Sequence, residues 1–198
     1  MTRRHALLIA AAAAIRPATG TAAPVQYILD KARSRVGFGF ILGGAAQTGT
    51  MPVTEARILI DPANLAASRV DVAVSVTDAR TGLIFATNAL TGPQMLDAAR
   101  YPTIRFVSTR VKLAPDGRLS GGATIRGNLT LRDKTRPIEL QANLYRPQGT
   151  AADDLSELVV LLSGQLSRAA FGINGYRDLV QDQVTLDIRA VIRAGRTP

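Results

Sequence analysis

The chain has 198 residues, 46% of them hydrophobic and 20% charged, a balance that suits one folded domain with a proper core and excludes a disordered chain. It has no cysteine and one histidine, His5. Disulfides and thiolate sites are therefore excluded, and so are a His-based triad, a His-ligated metal and a His general base if His5 belongs to a cleaved leader.

The net charge of +9 comes almost wholly from arginine, since the lysines are only Lys31, Lys112 and Lys134. The arginines are scattered, as on a solvated surface, although their sign also suits an anionic membrane.

In chain order, residues 1–23 read as an export signal. Arg3-Arg4 supplies a positive start and Ala6 to Ile15 an apolar run of ten, too short to span a bilayer. Small residues Thr21-Ala22-Ala23 precede Pro24. The pair Arg3-Arg4 also suits a twin-arginine route. The expected location is the periplasm, reached by the Sec or twin-arginine pathway, with residues 24–198 as one domain. No other stretch is long and apolar enough for a membrane span.

After residue 33 the pattern has period two, the mark of half-buried strands. Strands are expected at Val36–Phe40, Ala56–Ile60, Val70–Val76, Ile104–Val107, Ile125–Leu131, Ile138–Leu144, Leu158–Ser167 and Val184–Ile192. Asp61-Pro62, Pro115-Asp116-Gly117, Arg132-Asp133-Lys134 and Pro147-Gln148-Gly149 suit the turns between them. Between Thr81 and Ala99 the alternation stops. A short helix is expected there, capped by Thr81 and ended by Gly92-Pro93, with a second helical turn over 94–99.

Eight strands with one wet face each must hide their edges. Closure into a barrel does this, and the length of the strands favours it over a two-sheet sandwich. The expected fold is all-β: an eight-stranded antiparallel lipocalin-like barrel with a helical insertion around 81–99.

The inward face then comprises Phe38, Phe40, Val72, Val74, Ile104, Phe106, Ile125, Leu129, Leu140, Leu162, Leu166 and Leu186. These residues either fill a solid core or line a lumen. In the second case they bind an apolar chain. Arg168, after an apolar strand, is a candidate for a ligand headgroup or for a structural bond to loop carbonyls. Asp153, Asp154 and Glu157 sit in polar text, and Asp178 and Asp182 read as turn residues, so no catalytic group is expected. No metal and no cofactor is expected either. Gly43-Gly44 lacks the lysine of a phosphate loop. Few aromatics and scattered arginines argue against nucleic acid.

Several fragments in order resemble the YceI family of periplasmic lipid- or polyisoprenoid-binding proteins. They are Tyr27–Asp30 with Ser34–Phe38; Thr81-Gly82; Gln94–Asp97 with Tyr101–Ser108; Gly127–Ile138; and Ser167-Arg168 with Phe171–Ile173, Leu179-Val180 and Asp182–Val184. The resemblance runs from Tyr27 to Ile192. It implies a barrel of lipocalin type with a long lipid, such as a polyisoprenoid, in its lumen. The function it implies is carriage or sequestration of that lipid without catalysis. An alternative is a solid-core periplasmic adaptor or stress-response protein that binds a membrane protein. Candidate partners beyond the lipid are a membrane cytochrome, a membrane surface or a second copy as a homodimer. Arg33 stands where the family often has a histidine.

Overall fold

The computed structural model describes residues 24–61, 64–114, 121–151 and 154–195, and every stretch of period-two alternation named above lies in a strand. The strand segments are β1 (Val25–Leu29), β2 (Arg35–Leu42), β3 (Ala45–Met51), β4 (Val53–Ile60), β5 (Arg69–Ser75), β6 (Arg80–Thr81), β7 (Thr103–Leu113), β8 (Ala123–Leu131), β9 (Lys134–Tyr145), β10 (Glu157–Ser167) and β11 (Gln183–Ala194). One helix, α1 (Ile84–Thr91), lies between β6 and β7. The expected leader, the Pro115-Asp116-Gly117 turn and Asp153 lie outside the described residues.

The segments form one antiparallel sheet in the order β1-β4-β5-β7-β8-β9-β10-β11, and β1 pairs back to β11 to close it. β2 runs along the same strand β11 as β1, so the two are one stave interrupted at residues 30–34. β3 and β4 are likewise one stave broken at Pro52, which has no N–H to give to a ladder. β6 pairs with β3 as β5 pairs with β4, completing a third broken stave. The result is a closed antiparallel barrel of eight staves. It agrees with the expected fold, although β1 and β3 were not among the segments marked by alternation.

The breaks are repaired by polar groups. Ser34 Oγ donates to the Asp30 carbonyl at 2.6 Å and accepts from the Val191 N–H at 2.9 Å. The Pro52 carbonyl accepts the Ser75 N–H at 2.9 Å. A bulge in β7 between Ser108 and Arg110 frees a donor opposite, and Ser108 Oγ accepts the Val70 N–H at 2.8 Å. At the β1–β2 break, at the register shift between Val53 and Glu55 and at the β7 bulge the inward positions change parity. They pass from Tyr27 and Leu29 to Val36 and Phe38, from Met51 and Val53 to Ile58 and Ile60, and from Ile104 and Phe106 to Val111 and Leu113.

Turn chemistry follows the sequence closely. Gly43 and Gly44 both have positive φ (58° and 83°) in the two-residue β2–β3 hairpin, the conformation that a type I′ turn demands. Arg132-Asp133 connects β8 to β9, with Arg132 at φ 56°. The 81–99 region departs from expectation in two ways. Thr81 is in β6, paired to Gly49, and the helix starts after Leu83 without a side-chain cap. Gly92 ends α1 as expected, but residues 94–99 are turns rather than helix. Leu96 and Ala98 N–H groups reach back to the Leu90 and Thr91 carbonyls, which folds the segment onto the end of α1.

A four-residue charge network locks the β1–β2 break to the adjoining staves. Arg33 bonds Asp30 at 2.8 Å and Glu157 at 2.5 Å, and Arg193 bonds Glu157 at 2.8 Å and Asp30 at 3.2 Å. The Arg33 and then the Arg193 guanidinium hold the Glu157 carboxyl down to about 2. A carboxylate depressed in the fold stabilises it above its ordinary pKa, and that contribution is lost as pH falls towards the depressed value. Glu157→Gln therefore melts below wild type at pH 7. Melting curves by circular dichroism should show this gap narrowing below about pH 4.5 and closing near pH 2.

The barrel wall also depends on two glycines. Phe38 lies over Gly49 and Phe106 over Gly127, where an added Cβ would meet the ring Cζ at 2.2 and 2.3 Å. The rings cover the glycine backbone and leave no room for a side chain. Gly127→Ala is expected to cost about 1–3 kcal/mol in chemical denaturation, because the Phe106 ring must be driven into the barrel interior.

Candidate functional site

Two buried clusters pack the barrel, one towards each end. Met51, Val74, Val76, Met95, Leu96, Leu129, Leu131, Phe171 and Ile173 belong to the cluster on the side of α1. Tyr27, Ile58, Ala142, Leu158, Val160 and Ile192 belong to the other. Between them the interior is not filled. A cavity of about 450 Å³ is lined by residues from every stave. That volume lies within the range of small-molecule sites.

All twelve residues expected on the inward face line this cavity: Phe38, Phe40, Val72, Val74, Ile104, Phe106, Ile125, Leu129, Leu140, Leu162, Leu166 and Leu186. The alternation brings them together because each stave sends every second side chain inward. Phe38 and Phe40 stack with ring centroids 6.1 Å apart. The sequence reading missed the contribution of α1, whose Phe85, Ala86, Ala89 and Leu90 also line the cavity. Their spacing of one, three and one residues is the signal of a helix face turned inward. It also missed Ile58, Val70 and Ile188 as lining residues, although each continues an alternation already visible.

The two ends differ. At the α1 end, Phe85, Tyr176 and Leu179 line the cavity and are also exposed to solvent, which makes this the mouth. At the far end the cavity reaches Leu65, Leu113 and Leu155, none of them strongly exposed. There Tyr27 crosses the floor and donates from its hydroxyl to the Leu155 carbonyl at 2.7 Å. Burial pushes the Tyr27 phenol up, so it stays neutral and a donor.

Arg168 borders the cavity near the mouth, only 5% exposed. Four of its five N–H groups are committed to backbone carbonyls. Nε bonds the Gln181 carbonyl (3.1 Å), Nη1 those of Ile173 (3.2 Å) and Gly175 (2.7 Å), and Nη2 that of Val180 (2.7 Å). Burial lowers its pKa, and Asp182 opposes that shift. Of its two sequence-derived roles, the geometry assigns the structural one. The guanidinium ties the 168–182 segment into a compact cover beside the mouth.

Of the carboxylates weighed as acid–base pairs, Asp154, Asp182 and Glu157 have local partners. Asp154 accepts the Ser156 N–H at 2.8 Å, Asp182 the Ala169 N–H at 2.8 Å, and Glu157 is held by two arginines. Among the described residues no group of three or more His, Cys, Asp or Glu side chains could hold a metal ion.

A closed antiparallel barrel with an apolar hollow that opens, among the described residues, at a rimmed mouth is the class of protein that this fold and site define. The chain belongs to the YceI family: the model of the YceI-like domain matches residues 27–192. Protein YceI of Salmonella arizonae is 30% identical over 129 residues, and a UPF0312 protein of Enterobacter sp. is 31% identical over the same length. Each match covers 64% of this chain and 65% of the relative's own length.

Among solved structures, Burkholderia cenocepacia BcnA superposes with a TM-score of 0.71 at 20% identity, over 83% of this chain and 99% of that one. A polyisoprenoid binding domain from Saccharophagus degradans gives 0.62 at 14% identity, over 86% and 99%. The YceI protein of Campylobacter jejuni gives 0.59 at 21%, over 72% and 81%. At these identities the likeness is one of fold.

Proposed function

We propose that this protein binds a long apolar lipid of polyisoprenoid type in the barrel lumen, and that it carries or sequesters the lipid in the periplasm without catalysing a reaction. The observation that carries the reading is the continuous apolar hollow between the two packed clusters. The Saccharophagus degradans neighbour, a polyisoprenoid binding domain, supports the choice of ligand class. The leader-like text of residues 1–23 supports export.

The driving force is burial. Each methylene moved from water contributes about 0.8 kcal/mol, so an isoprene unit contributes roughly 3 kcal/mol before ordering costs. Four or five units contribute about 12–15 kcal/mol, which reaches about −8 kcal/mol, the micromolar range, after losses of freedom of about 4–7 kcal/mol. A solid-core adaptor has no use for a hollow of this kind, and the cavity weighs against that alternative.

Organic extraction of the protein purified from a native-type bacterial host, followed by mass spectrometry, tests the reading. The expected result is an isoprenoid lipid near one per chain. A protein that carries none, and that binds neither a polyprenol nor an isoprenoid quinone in fluorescence titration, overturns it.

A further inference from the structure

The mouth carries apolar surface that the cavity does not require. Ile84 at the start of α1 is 83% exposed, the neighbouring Phe85 64%, and Leu179 on the opposite side 56%. These are large side chains at protruding positions, on either side of the Gly43-Gly44 hairpin tip. Gly82 N–H bonds the Thr48 carbonyl on β3, and Gly43 N–H bonds the Leu179 carbonyl at 2.8 Å, so both sides of the rim are anchored to that hairpin. Phe85, Tyr176 and Leu179 face the hollow as well as solvent, which makes the exposed patch and the lumen one continuous apolar surface. Ile84 itself does not line the cavity and is turned to solvent.

We propose that this rim is a membrane-docking surface: Ile84, Phe85 and Leu179 enter the interfacial layer of a phospholipid bilayer, and the lumen opens into it. The occupant follows from continuity. A hydrocarbon ligand has negligible solubility in water, and among the described residues the exposed apolar side chains that also line the lumen are these at the rim. In water the rim is a cost, whereas at a bilayer interface a few apolar tips beside cationic groups are favourable. Arg80 and Arg177 are exposed within four residues of Ile84 and two of Leu179 respectively, and each can reach lipid phosphates while its stem packs on the interface. The nearby acids are Asp178, which is exposed, and Asp78, whose Oδ2 accepts from Ser75 Oγ at 2.8 Å. The local charge is thus close to balanced. The apolar tips are the principal contact and anionic lipid is a secondary aid.

This inference rests on the reading of the lumen as a lipid site, and the experiment separates the two. Flotation is measured with vesicles of phosphatidylcholine and phosphatidylglycerol, three to one, for wild type, for Ile84→Ser with Phe85→Ser, for Leu179→Ser, and for Ile28→Ser on the barrel wall. Wild type and Ile28→Ser are expected to float with the vesicles. The rim variants are expected to lose at least about tenfold in partitioning, since each removes a side chain worth more than one factor of ten when buried. Replacing the anionic lipid by phosphatidylcholine lowers binding far less than the rim substitutions do.

Polyprenol delivered from detergent is then titrated into the same proteins. Unchanged affinity in the single variant Ile84→Ser, measured in both assays because its side chain does not line the cavity, supports docking as a separate step. If wild type fails to float, or if Ile28→Ser falls as far as the rim variants, the docking surface is wrong whatever the titration shows. A dimer in sedimentation that the rim substitutions disperse, without vesicle binding, assigns the rim to a second copy and also overturns it. Failure of polyprenol binding in wild type, with flotation intact, removes the lumen reading and leaves the surface.

Discussion

Arg168→Met lowers the stability of the protein by about 3–5 kcal/mol. Four backbone carbonyls, those of Ile173, Gly175, Val180 and Gln181, accept hydrogen bonds from this one side chain. The bonds to Ile173 and Val180 are buried, so water cannot replace the guanidinium without reopening the loop. Each acceptor left unpaired costs about 1–3 kcal/mol, and partial relaxation brings the total below the simple sum. Methionine has a similar length and an apolar stem, so packing is retained and the loss isolates the hydrogen bonds. Lysine is expected to recover only a small part, because three rotating donors at one point cannot match acceptors spread around a planar fork.

Urea denaturation of the lipid-free protein measures the effect. It also distinguishes the two roles that the sequence left open for this residue. An arginine held in reserve for a ligand headgroup would give a lipid-free protein of unchanged stability and a weaker complex. An arginine that builds the loop weakens the lipid-free protein first, and lipid binding falls as a consequence because Tyr176 and Leu179 on that loop form one side of the mouth.

How much of this was legible in the sequence depends on the length over which a pattern stays in phase. Val70, Val72, Val74 and Val76 keep one parity through β5, and Ile138 to Leu144 do so through β9, so these inward faces could be read directly. β7 could be read only to Val107. Beyond that its bulge exchanges inward for outward, and Val111 and Leu113 have the opposite parity to Ile104 and Phe106. β3 was invisible for a different reason. Its residues Ala45-Ala46-Gln47-Thr48-Gly49-Thr50-Met51 carry little apolar mass, and Gly49 has no side chain at all because Phe38 covers it.

The hollow itself lay beyond reach of the pattern. An inward row of valines and leucines is the same text whether the rows meet or stand apart. What separates them is the girth of a closed eight-stave barrel and the two clusters that pack its ends, and both are properties of the assembled sheet. The mouth was missed for the same reason. Ile84-Phe85 and Leu179 are far apart in sequence, and only the pairings of β3 with β6 and of Leu42 with Val180 bring them to one rim.

A second large effect follows from the hollow and reads on binding alone. Leu186→Trp should abolish polyprenol binding, with a loss of more than about a hundredfold, while leaving the stability of the lipid-free protein within about 1 kcal/mol of wild type. Leu186 is half-buried near the start of β11 and turned into the cavity, opposite Phe38 on one side and Gly164 on the other. The indole therefore enters the lumen beside Leu140, which already covers Gly164, rather than a packed cluster. Overpacking a core normally costs 1–3 kcal/mol, roughly, because neighbours must leave their rotamers. Here the added atoms gain contacts with Phe38 and Leu140 that the empty lumen lacks, and the two terms offset each other.

The control is Leu161→Trp, on the outer face of β10, which should bind as wild type does. Thermal melting provides a second readout. A ligand that binds only the folded state raises the melting temperature of wild type and of Leu161→Trp, but not that of Leu186→Trp. Equal affinity in the Leu186 and Leu161 variants would mean that the lipid lies outside the barrel, and every statement made here about the lumen as a binding site would fail with it.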